Sequence, residues 1–407
     1  MTYIQAGSKE FKQAKLAFLI AGLVTFAAIY TVQPTLPLFS KEFAVSAPAA
    51  SLTLSFTTGL LAFSMLAAAT LSDRIGTKRM MVLSMVFTSI LGIVTSFSSS
   101  FMMLLVFRAL LGIVVSGVPS IAMAFIGKEF SPKDRVMIMG FYISGSSIGG
   151  MTGRLFTGLL TDLFSWRLAF AAIGIISLVL SLLFWYMLPA PSTTDNKRIE
   201  WKAIWPSYQM HLMNRNINFL FILGFLLMGS FVTMYNYIGF SLMQPPYLLS
   251  QTIIGLIFIV YLFGTFSSIY MGKKAKQYGT SLILKMSFLI TITGAVITLF
   301  PNLISKIIGI SIFTFGFFAA HSIVSALVTE RAKENKAQAS SLYLLFYYLG
   351  SSLVGSFGGY FWDHFSWIGV IAFLFSLLTA GFVLVVKCSS QHKAVSITVQ
   401  KRKALLK

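Results

Sequence analysis

The sequence predicts an all-α membrane protein with twelve transmembrane helices arranged in two pseudo-symmetric six-helix bundles. Three observations point there: an apolar composition, recurring apolar runs and an internal repeat. Of the 407 residues, 57% are hydrophobic and only 10% are charged, whereas about a quarter of the residues of a soluble domain are charged. The mean hydropathy is +0.83. So much apolar surface must face lipid, where backbone polar groups are paired inside helices.

Twelve apolar runs are long enough to cross a bilayer, which takes about 20 residues per helix. They lie at 16–38, 48–70, 80–98, 101–125, 136–160, 166–188, 217–240, 251–271, 281–300, 304–328, 338–361 and 366–387. A polar segment after the sixth run divides the chain. The predicted parts are an N-terminal bundle (1–190), a central cytoplasmic loop (191–216), a C-terminal bundle (217–388) and a basic cytoplasmic tail (389–407).

Basic residues are concentrated in alternate loops. The 31 Lys and Arg against 11 Asp and Glu give a net charge of +20. Because Lys and Arg are retained in cytoplasmic loops, the alternation predicts that both termini are cytoplasmic. The excess charge is therefore a topology signal, and we expect the lipid bilayer and no nucleic acid as a partner. The single cysteine, Cys388, excludes a disulfide framework and a cysteine-based metal site.

Four short motifs occur twice, about 200 residues apart. The pairs are FAAIY (26–30) with FVTMY (231–235), DRIGTKRMMVLSM (73–85) with KQYGTSLILKMSF (276–288), GSSIGG (145–150) with GSSLVG (350–355), and DLFSW (162–166) with DHFSW (363–367). The repeat indicates a duplicated six-helix unit. Two parallel halves are the layout of two-bundle secondary transporters, which hold their substrate near the midplane between the halves.

A charged turn follows the second span and reads ATLSDRIGTK with the residues before it. It resembles the signature Gly-x-x-x-Asp-Arg-x-Gly-Arg-Arg/Lys of the major facilitator superfamily. The matching residues are Asp73, Arg74, Gly76 and Lys78. Ala69 and Thr77 depart from the signature. Glycine allows the chain to reverse sharply here.

The resemblance implies that this turn gates the cytoplasmic side of the two halves. In the family it pairs with the loop after span four, where Asp134 and Arg135 lie in this chain. The carboxylate of Asp73 also suits the positive N-terminal end of a neighbouring helix. The alternative is a plain loop that only fixes topology.

Two arginines lie inside predicted spans, where an arginine is costly unless it faces a cavity or a partner. Arg108 lies about two turns inside span four, and Arg154 lies in the outer half of span five. We expect both to face the central cavity and to serve coupling. Snorkelling to the surface is the alternative for Arg108. The resemblance supports the coupling role, because exporters of the family carry an Arg-and-glycine pattern in span four.

Five glycines in span five predict close contact with another helix. They are Gly145, Gly149, Gly150, Gly153 and Gly158. Antiporters of the family carry Gly-Pro-x-x-Gly-Gly at this place. The proline is missing here, so this chain departs from the antiporter pattern.

His321 is the only histidine well inside a span. A neutral imidazole can take up a proton near physiological pH, so His321 is a candidate proton carrier; a packing role is the alternative. The stretches GFFAAHS, SSLYLLFYYLGSS, FVTMYNYIGF and GGMTGR resemble the acriflavine-sensitivity group of bacterial inner-membrane transporters. That resemblance implies a multi-pass protein of the bacterial cell membrane that exports drugs or small solutes.

Every acidic residue maps to a loop or a span end. A multiply charged cation would need a buried counter-charge, so we expect neutral, weakly basic lipophilic or anionic substrates. Candidate substrate contacts are the polar and aromatic residues expected near the middle of the bundles. They are Tyr30, Gln33, Tyr142, Tyr235, Asn236, Tyr237, Tyr261, Tyr343 and Tyr347. Helix packing or an interfacial aromatic belt is the alternative for each.

The sequence thus predicts a monomeric, proton-coupled exporter of drugs or small organic solutes that works by alternating access. We expect the proton gradient to drive it without a cofactor or a metal. The nearest alternative is a proton-coupled importer or facilitator of a small neutral or anionic solute. A membrane sensor or a membrane-embedded enzyme is more remote. The enzyme alternative is disfavoured because the sequence has no His-rich metal site, no nucleophile with an apparent base and no phosphate-cradling loop.

Overall fold

The computed structural model describes residues 3–191, 201–332 and 334–405; the side chains at 69, 70, 73, 132, 136, 201–204, 337 and 389–405 are outside that description. The described residues form sixteen α-helices. In the first half these are α1 (Lys9–Tyr30), α2 (Leu36–Glu42), α3 (Ala47–Ile75), α4 (Thr77–Thr95), α5 (Phe101–Val115), α6 (Gly117–Glu129), α7 (Pro132–Leu163) and α8 (Trp166–Met187). The rest are α9 (Trp201–Met213), α10 (Arg215–Met243), α11 (Gln251–Ile257), α12 (Tyr261–Tyr278), α13 (Thr280–Ile297), α14 (Leu303–Arg331), α15 (Lys336–Leu349) and α16 (Gly355–Leu405).

These helices make the twelve predicted passes. Ten helical segments of the described chain are long and apolar enough to cross a membrane. A kink at Ser366 (φ 51°, ψ −146°) divides α16, so that the last of these segments supplies two passes. The more polar helix α7, with 32 residues, supplies the remaining pass. The all-α, twelve-pass prediction is therefore confirmed.

Three passes contain a local break. The fourth is interrupted at Ser116, between α5 and α6. The eighth contains a 3₁₀ turn (Phe258–Val260) and the eleventh a π-helical turn (Gly350–Val354). Breaks of the latter two kinds are frequent at functional sites and hinges.

The predicted bounds of the first pass are wrong. The first pass was expected over 16–38, but α1 begins at Lys9 and ends at Tyr30. The chain then turns, because Pro34 has no N–H to continue the helical ladder, and α2 follows. The segment 191–216, expected as a loop, contains the helix α9. The side chains of the predicted tail, 389–407, are outside the described residues.

Glycines hold α7 directly against α1. A Cβ atom at Gly149 would lie 2.1 Å from the carbonyl oxygen of Leu23, and one at Gly145 would lie 2.0 Å from another carbonyl of α1. The second half repeats this contact, since a Cβ at Gly350 would lie 2.1 Å from the carbonyl oxygen of Phe225 in α10. The predicted close packing is confirmed.

The repeat also appears in backbone conformation. Gly76 links α3 to α4 with φ 94° and ψ 137°. Gly279 links α12 to α13 with φ 94° and ψ 135°. This region disfavours residues with a Cβ atom, so the two turns of the duplicated unit require glycine at the same step.

The halves meet along α7 with α11 and along α3 with α15 and α16. We name the bundle end that carries the Lys- and Arg-rich loops the basic end, and the opposite end the Asp162 end. Between α3 and the eleventh pass, the Ser356 hydroxyl donates to Ser55 Oγ at 2.6 Å, and the Ser352 hydroxyl donates to the Ser55 carbonyl at 2.8 Å. Small hydroxyl side chains thus let the backbones of the two halves approach each other.

Candidate functional site

Arg154 is the centre of a polar and aromatic group between the halves. Its side chain is 1% exposed. The Nε–H donates to Gln33 Oε1 at 2.7 Å, and Nη1 donates to the Gly150 carbonyl at 2.6 Å. The guanidinium also lies 4.0 Å from the centroid of the Tyr30 ring, a distance typical of a cation–π contact.

The second half completes this group with two aromatic rings and an amide. The guanidinium lies 4.7 Å from the Phe258 centroid and 4.8 Å from the Tyr261 centroid. Gln33 Nε2 donates to Asn236 Oδ1 at 2.8 Å, which continues the chain of hydrogen bonds across the interface. We call these six side chains the central cluster: Tyr30, Gln33, Arg154, Asn236, Phe258 and Tyr261.

Local structure explains how the cluster is assembled. Because α1 ends at Tyr30, Gln33 lies in the following turn and reaches the interface. Phe258 lies in the 3₁₀ turn, three residues before Tyr261, so both rings point to the same face. Tyr235 stacks on Phe258 with centroids 5.1 Å apart, and its hydroxyl lies 2.6 Å from Thr314 Oγ1. The aromatic side of the cluster is therefore packed in place by α10 and α14.

Two buried polar atoms of the cluster lack a hydrogen-bond partner among the described residues. They are Asn236 Nδ2 and Tyr261 Oη. Asn236 is 0% exposed and Tyr261 is 7% exposed. A buried polar atom without a partner is costly, and the positions where it occurs call for a functional explanation.

His321 lies nearer the basic end, on α14. Its Nδ1 is 2.8 Å from the Tyr343 hydroxyl, and its ring centroid is 4.6 Å from that of Tyr347. His321 and Tyr347 are partly exposed. Tyr347 is close enough to Tyr30 in the other half for the two side chains to interact electrostatically. His321, Tyr343 and Tyr347, which we call the His321 group, therefore face the space between the halves. Of the two ring nitrogens of His321, only Nδ1 has a hydrogen-bond partner among the described residues.

Arg108 does not face that space, and the expectation that it lines the central cavity is wrong. It is 2% exposed and lies inside the first half. Its guanidinium donates to the carbonyls of Ala28 at 2.9 Å and Ile29 at 2.5 Å, while Nε donates to that of Thr53 at 3.0 Å. The first two carbonyls belong to the last turn of α1, where acceptors lack intrahelical donors and a positive charge is favourable. Arg108 therefore caps α1.

Two further candidates lie in helix contacts away from the central cluster. The Tyr237 hydroxyl donates to the carbonyls of Gly355 at 3.0 Å and Ser356 at 3.1 Å, which packs α10 on α16. Tyr142 is 4% exposed and belongs to the apolar core of the first half. The structure thus gathers Tyr30, Gln33, Arg154, Asn236 and Tyr261, with Tyr235 packed behind them, and places Tyr142 and Tyr237 elsewhere.

The charged turn between α3 and α4 is only partly described. Arg74 is exposed, and Lys78 Nζ donates to the Leu188 carbonyl at the end of α8. In the loop after α6, the Ser131 hydroxyl donates to Asp134 Oδ2 at 2.7 Å, and Arg135 Nε–H donates to the Phe130 carbonyl at 2.9 Å. The Asp73 side chain is outside the described residues, so the gate between these two loops stays a prediction.

At the opposite end, the repeated D-x-F-S-W motifs join the halves. Asp162 accepts from the backbone N–H groups of Gln251 at 3.1 Å and Thr252 at 2.7 Å, at the first residues of α11. The related Asp363 lies beside the backbone N–H of Ala47, the first residue of α3. We call these two contacts the paired latch. Sequence reasoning used the motifs only to define the repeat and missed this role.

The whole sequence was compared with known families and structures. Residues 18–355 match the Major Facilitator Superfamily. The chain belongs to this superfamily. It is accordingly a multi-pass membrane transporter and not an enzyme, as predicted.

Relatives of this transporter occur in bacteria. It is 45% identical to the MFS-type transporter YybF of Bacillus subtilis (strain 168), over 93% of this chain and 94% of the relative. It is 42% identical to the inner membrane transport protein YnfM of Escherichia coli (strain K12), over 94% of this chain and 92% of the relative. This transporter therefore lies nearest the YnfM-like branch of the superfamily, and the predicted resemblance to bacterial inner-membrane transporters is confirmed.

Solved structures of other transporters share the fold. A bacterial homologue of the human lysosomal transporter Spinster superposes with a TM-score of 0.74 at 17% identity, covering 97% of this transporter and 99% of that chain. The nucleoside transporter NupG gives a TM-score of 0.71 at 13% identity, covering 93% of this transporter and 99% of that chain. In this superfamily fold, substrate sites lie between the two halves, and the central cluster also lies between the halves.

Proposed function

We propose that this transporter exports a small organic solute in exchange for protons, by alternating rocking of its two halves. The basic end faces the cytoplasm, because Lys and Arg are retained on that side. In this orientation both termini are cytoplasmic, and the paired latch closes the outer side. We infer that the protein is then in an inward-facing state, in which His321 and Tyr347 face a cavity open to the inside.

The placement of His321 is the observation that carries the proposal. An imidazole changes charge near neutral pH, and this one is partly exposed between the halves. Tyr343 holds one ring nitrogen at 2.8 Å, which leaves the other free to exchange a proton with the cavity. No described side chain of Asp or Glu lies in the middle of a pass, so the usual carboxylate carrier has no candidate there.

Aromatic side chains support an organic solute as the cargo. The rings of Tyr343 and Tyr347 flank His321, and Phe317 stacks parallel to the imidazole at 5.9 Å. Apolar and aromatic walls with a few fixed polar groups are typical of small-molecule sites. In alternating exchange, a proton on His321 and the solute would occupy this cavity in turn, so that entry of one favours release of the other.

Proteoliposomes with an internal pH-sensitive dye test the proposal. A panel of lipophilic solutes is added across an imposed pH gradient, and solute-dependent proton movement is recorded. We expect His321→Gln to abolish that movement while the solute still binds. His364→Gln is the matched control, because His364 is exposed and bonds only to the Tyr360 carbonyl at 2.9 Å among the described residues. Solute transport without proton movement in the wild type, or full coupling in His321→Gln, would contradict the proposal.

A further inference from the structure

The central cluster carries a positive charge without a counter-ion among the described residues. Arg154 is buried between the halves, and its described partners are the neutral oxygens of Gln33 and Gly150. The described carboxylates all lie at helix ends or in loops. A buried guanidinium without a carboxylate is expensive, and the three rings around it offset only part of that cost.

The remaining polar atoms of the cluster favour an acceptor. The Tyr261 hydroxyl lacks a partner among the described residues and lies within electrostatic range of the guanidinium. Asn236 Nδ2 is a second buried donor without a described partner. The guanidinium contributes five N–H groups, of which described hydrogen bonds engage two. A ligand that suits this set is an anion that accepts several hydrogen bonds at once.

The cluster divides cleanly between the halves. Tyr30, Gln33 and Arg154 belong to the first half, and Asn236, Phe258 and Tyr261 to the second. If the halves separate at the Asp162 end, the hydrogen bond from Gln33 to Asn236 breaks and the guanidinium loses the rings of the second half. The charge then faces the gap while Gln33, Gly150 and Tyr30 still orient it.

We propose that Arg154 binds the carboxylate of an organic anion, with Tyr261 and Asn236 as additional donors, and that the cargo of this transporter carries such a group. Arginine suits a carboxylate because its planar N–H pairs match the two oxygens. The rings of Tyr30, Phe258 and Tyr261 would lie against the organic part. Only the statement that this ligand is the cargo rests on the proposed function; the binding site stands on the cluster itself.

Binding without a pH gradient tests the site separately from proton coupling. The purified full chain is titrated calorimetrically with benzoate, hexanoate and succinate, and with the amide and amine counterpart of each. We expect at least one carboxylate to bind about tenfold or more tightly than its amide, as a charge-assisted pair implies. If no carboxylate exceeds its amide in the wild type, the proposal is overturned.

Two variants assign the effect to the cluster. Arg154→Gln should remove the preference for the carboxylate. Asn236→Asp replaces one amide nitrogen by oxygen and supplies an internal carboxylate, so it should compete with the ligand and weaken its binding about tenfold or more. Asn302→Asp is the matched control, because Asn302 is exposed and its side-chain oxygen accepts from the Ile304 N–H at 2.8 Å, as an aspartate also does.

The outcomes separate the two proposals. Wild-type carboxylate affinity in folded Arg154→Gln and Asn236→Asp, with folding checked by thermal melting, would overturn the anion site whatever the proton assay shows. Arg154-dependent binding of a carboxylate that moves no protons in proteoliposomes would retain the anion site and reject proton exchange. Loss of binding in Asn302→Asp as well would show a general charge effect and would also overturn the site.

Discussion

The paired latch predicts how strongly two carboxylates favour the state that is closed at the Asp162 end over the state that is open there. Asp162 accepts two backbone N–H groups at the first residues of α11, and Asp363 lies beside the backbone N–H of Ala47 at the first residue of α3. Opening of the Asp162 end must break both contacts, whereas opening of the basic end breaks neither. Replacement of each Asp by Asn keeps the side-chain shape but removes the negative charge from the positive helix end. The variants should therefore populate the state that is open at the Asp162 end.

The size of the shift follows from helix-end electrostatics. A negative charge at a helix N-terminus is worth about 0.3–1 kcal/mol at exposed positions. Both carboxylates are exposed, and solvent screening keeps them within that range. Since about 1.4 kcal/mol is a factor of ten, Asp162→Asn should shift the equilibrium about two- to fivefold. The contacts are separate, so the double variant with Asp363→Asn should give roughly the product of the two factors.

Distance measurements between spin labels test this shift. Phe97→Cys and Ile304→Cys, in a Cys388→Ser background, place labels at exposed positions of the Asp162 end in opposite halves. The fraction of molecules at the longer distance is the readout, and it should rise in Asp162→Asn and further in the double variant.

Glu42→Gln is the matched control for the latch. It removes a carboxylate from the same end, but Glu42 bonds to Trp166 at 2.6 Å and Arg167 at 2.7 Å within one half. It should leave the distances unchanged. If the double variant matches this control, or if Glu42→Gln opens the same end equally, the reasoning is refuted.

Two stability predictions complete the set. Gly149→Ala should destabilise by about 1–3 kcal/mol, because the added Cβ would force α7 away from the Leu23 carbonyl of α1. The control Gly140→Ala meets no atom within 4 Å and should be neutral or stabilising; equal melting temperatures of the two would contradict the packing argument. Arg108→Met should cost about 2–4 kcal/mol, as it leaves the terminal carbonyls of α1 without their donor. The control Arg167→Met should lower the melting temperature less, because Arg167 is only half-buried and its ion pair with Glu42 is exposed to solvent.

Much of the fold followed from periodic and compositional signals. The apolar runs located the passes, since a bilayer imposes a length on every helix. The repeated glycine turn and the D-x-F-S-W motifs located the halves. The boundary after Tyr30 was wrong because hydropathy does not report where a proline ends the hydrogen-bond ladder. The helix α9 was missed because the central segment was judged by its polarity.

The site was harder to predict because residue type does not reveal which side of a helix faces the interface. Arg108 and Arg154 look alike in sequence, as single arginines in glycine-containing spans. The structure separates them: the carbonyls of α1 hold the first inside one half, and the second lies between the halves. Phe258 was missed although its spacing of three from Tyr261 places both rings on one face, a pattern that the sequence does show.

The two halves of the protein place related residues on the two sides of the central cluster, because each half has a tyrosine from the same duplicated motif there. Tyr30 ends FAAIY, and Tyr235 ends the related FVTMY. Tyr30 contacts the guanidinium of Arg154 directly, whereas Tyr235 supports Phe258 and Tyr261, which contact it from the other side. Related tyrosines therefore bracket one arginine that only the first half supplies. In the proposed cycle the two surfaces separate and rejoin. A charge on one side and rings on the other then hold them together without a buried ion pair among the described residues, and separation of such a pair would cost more.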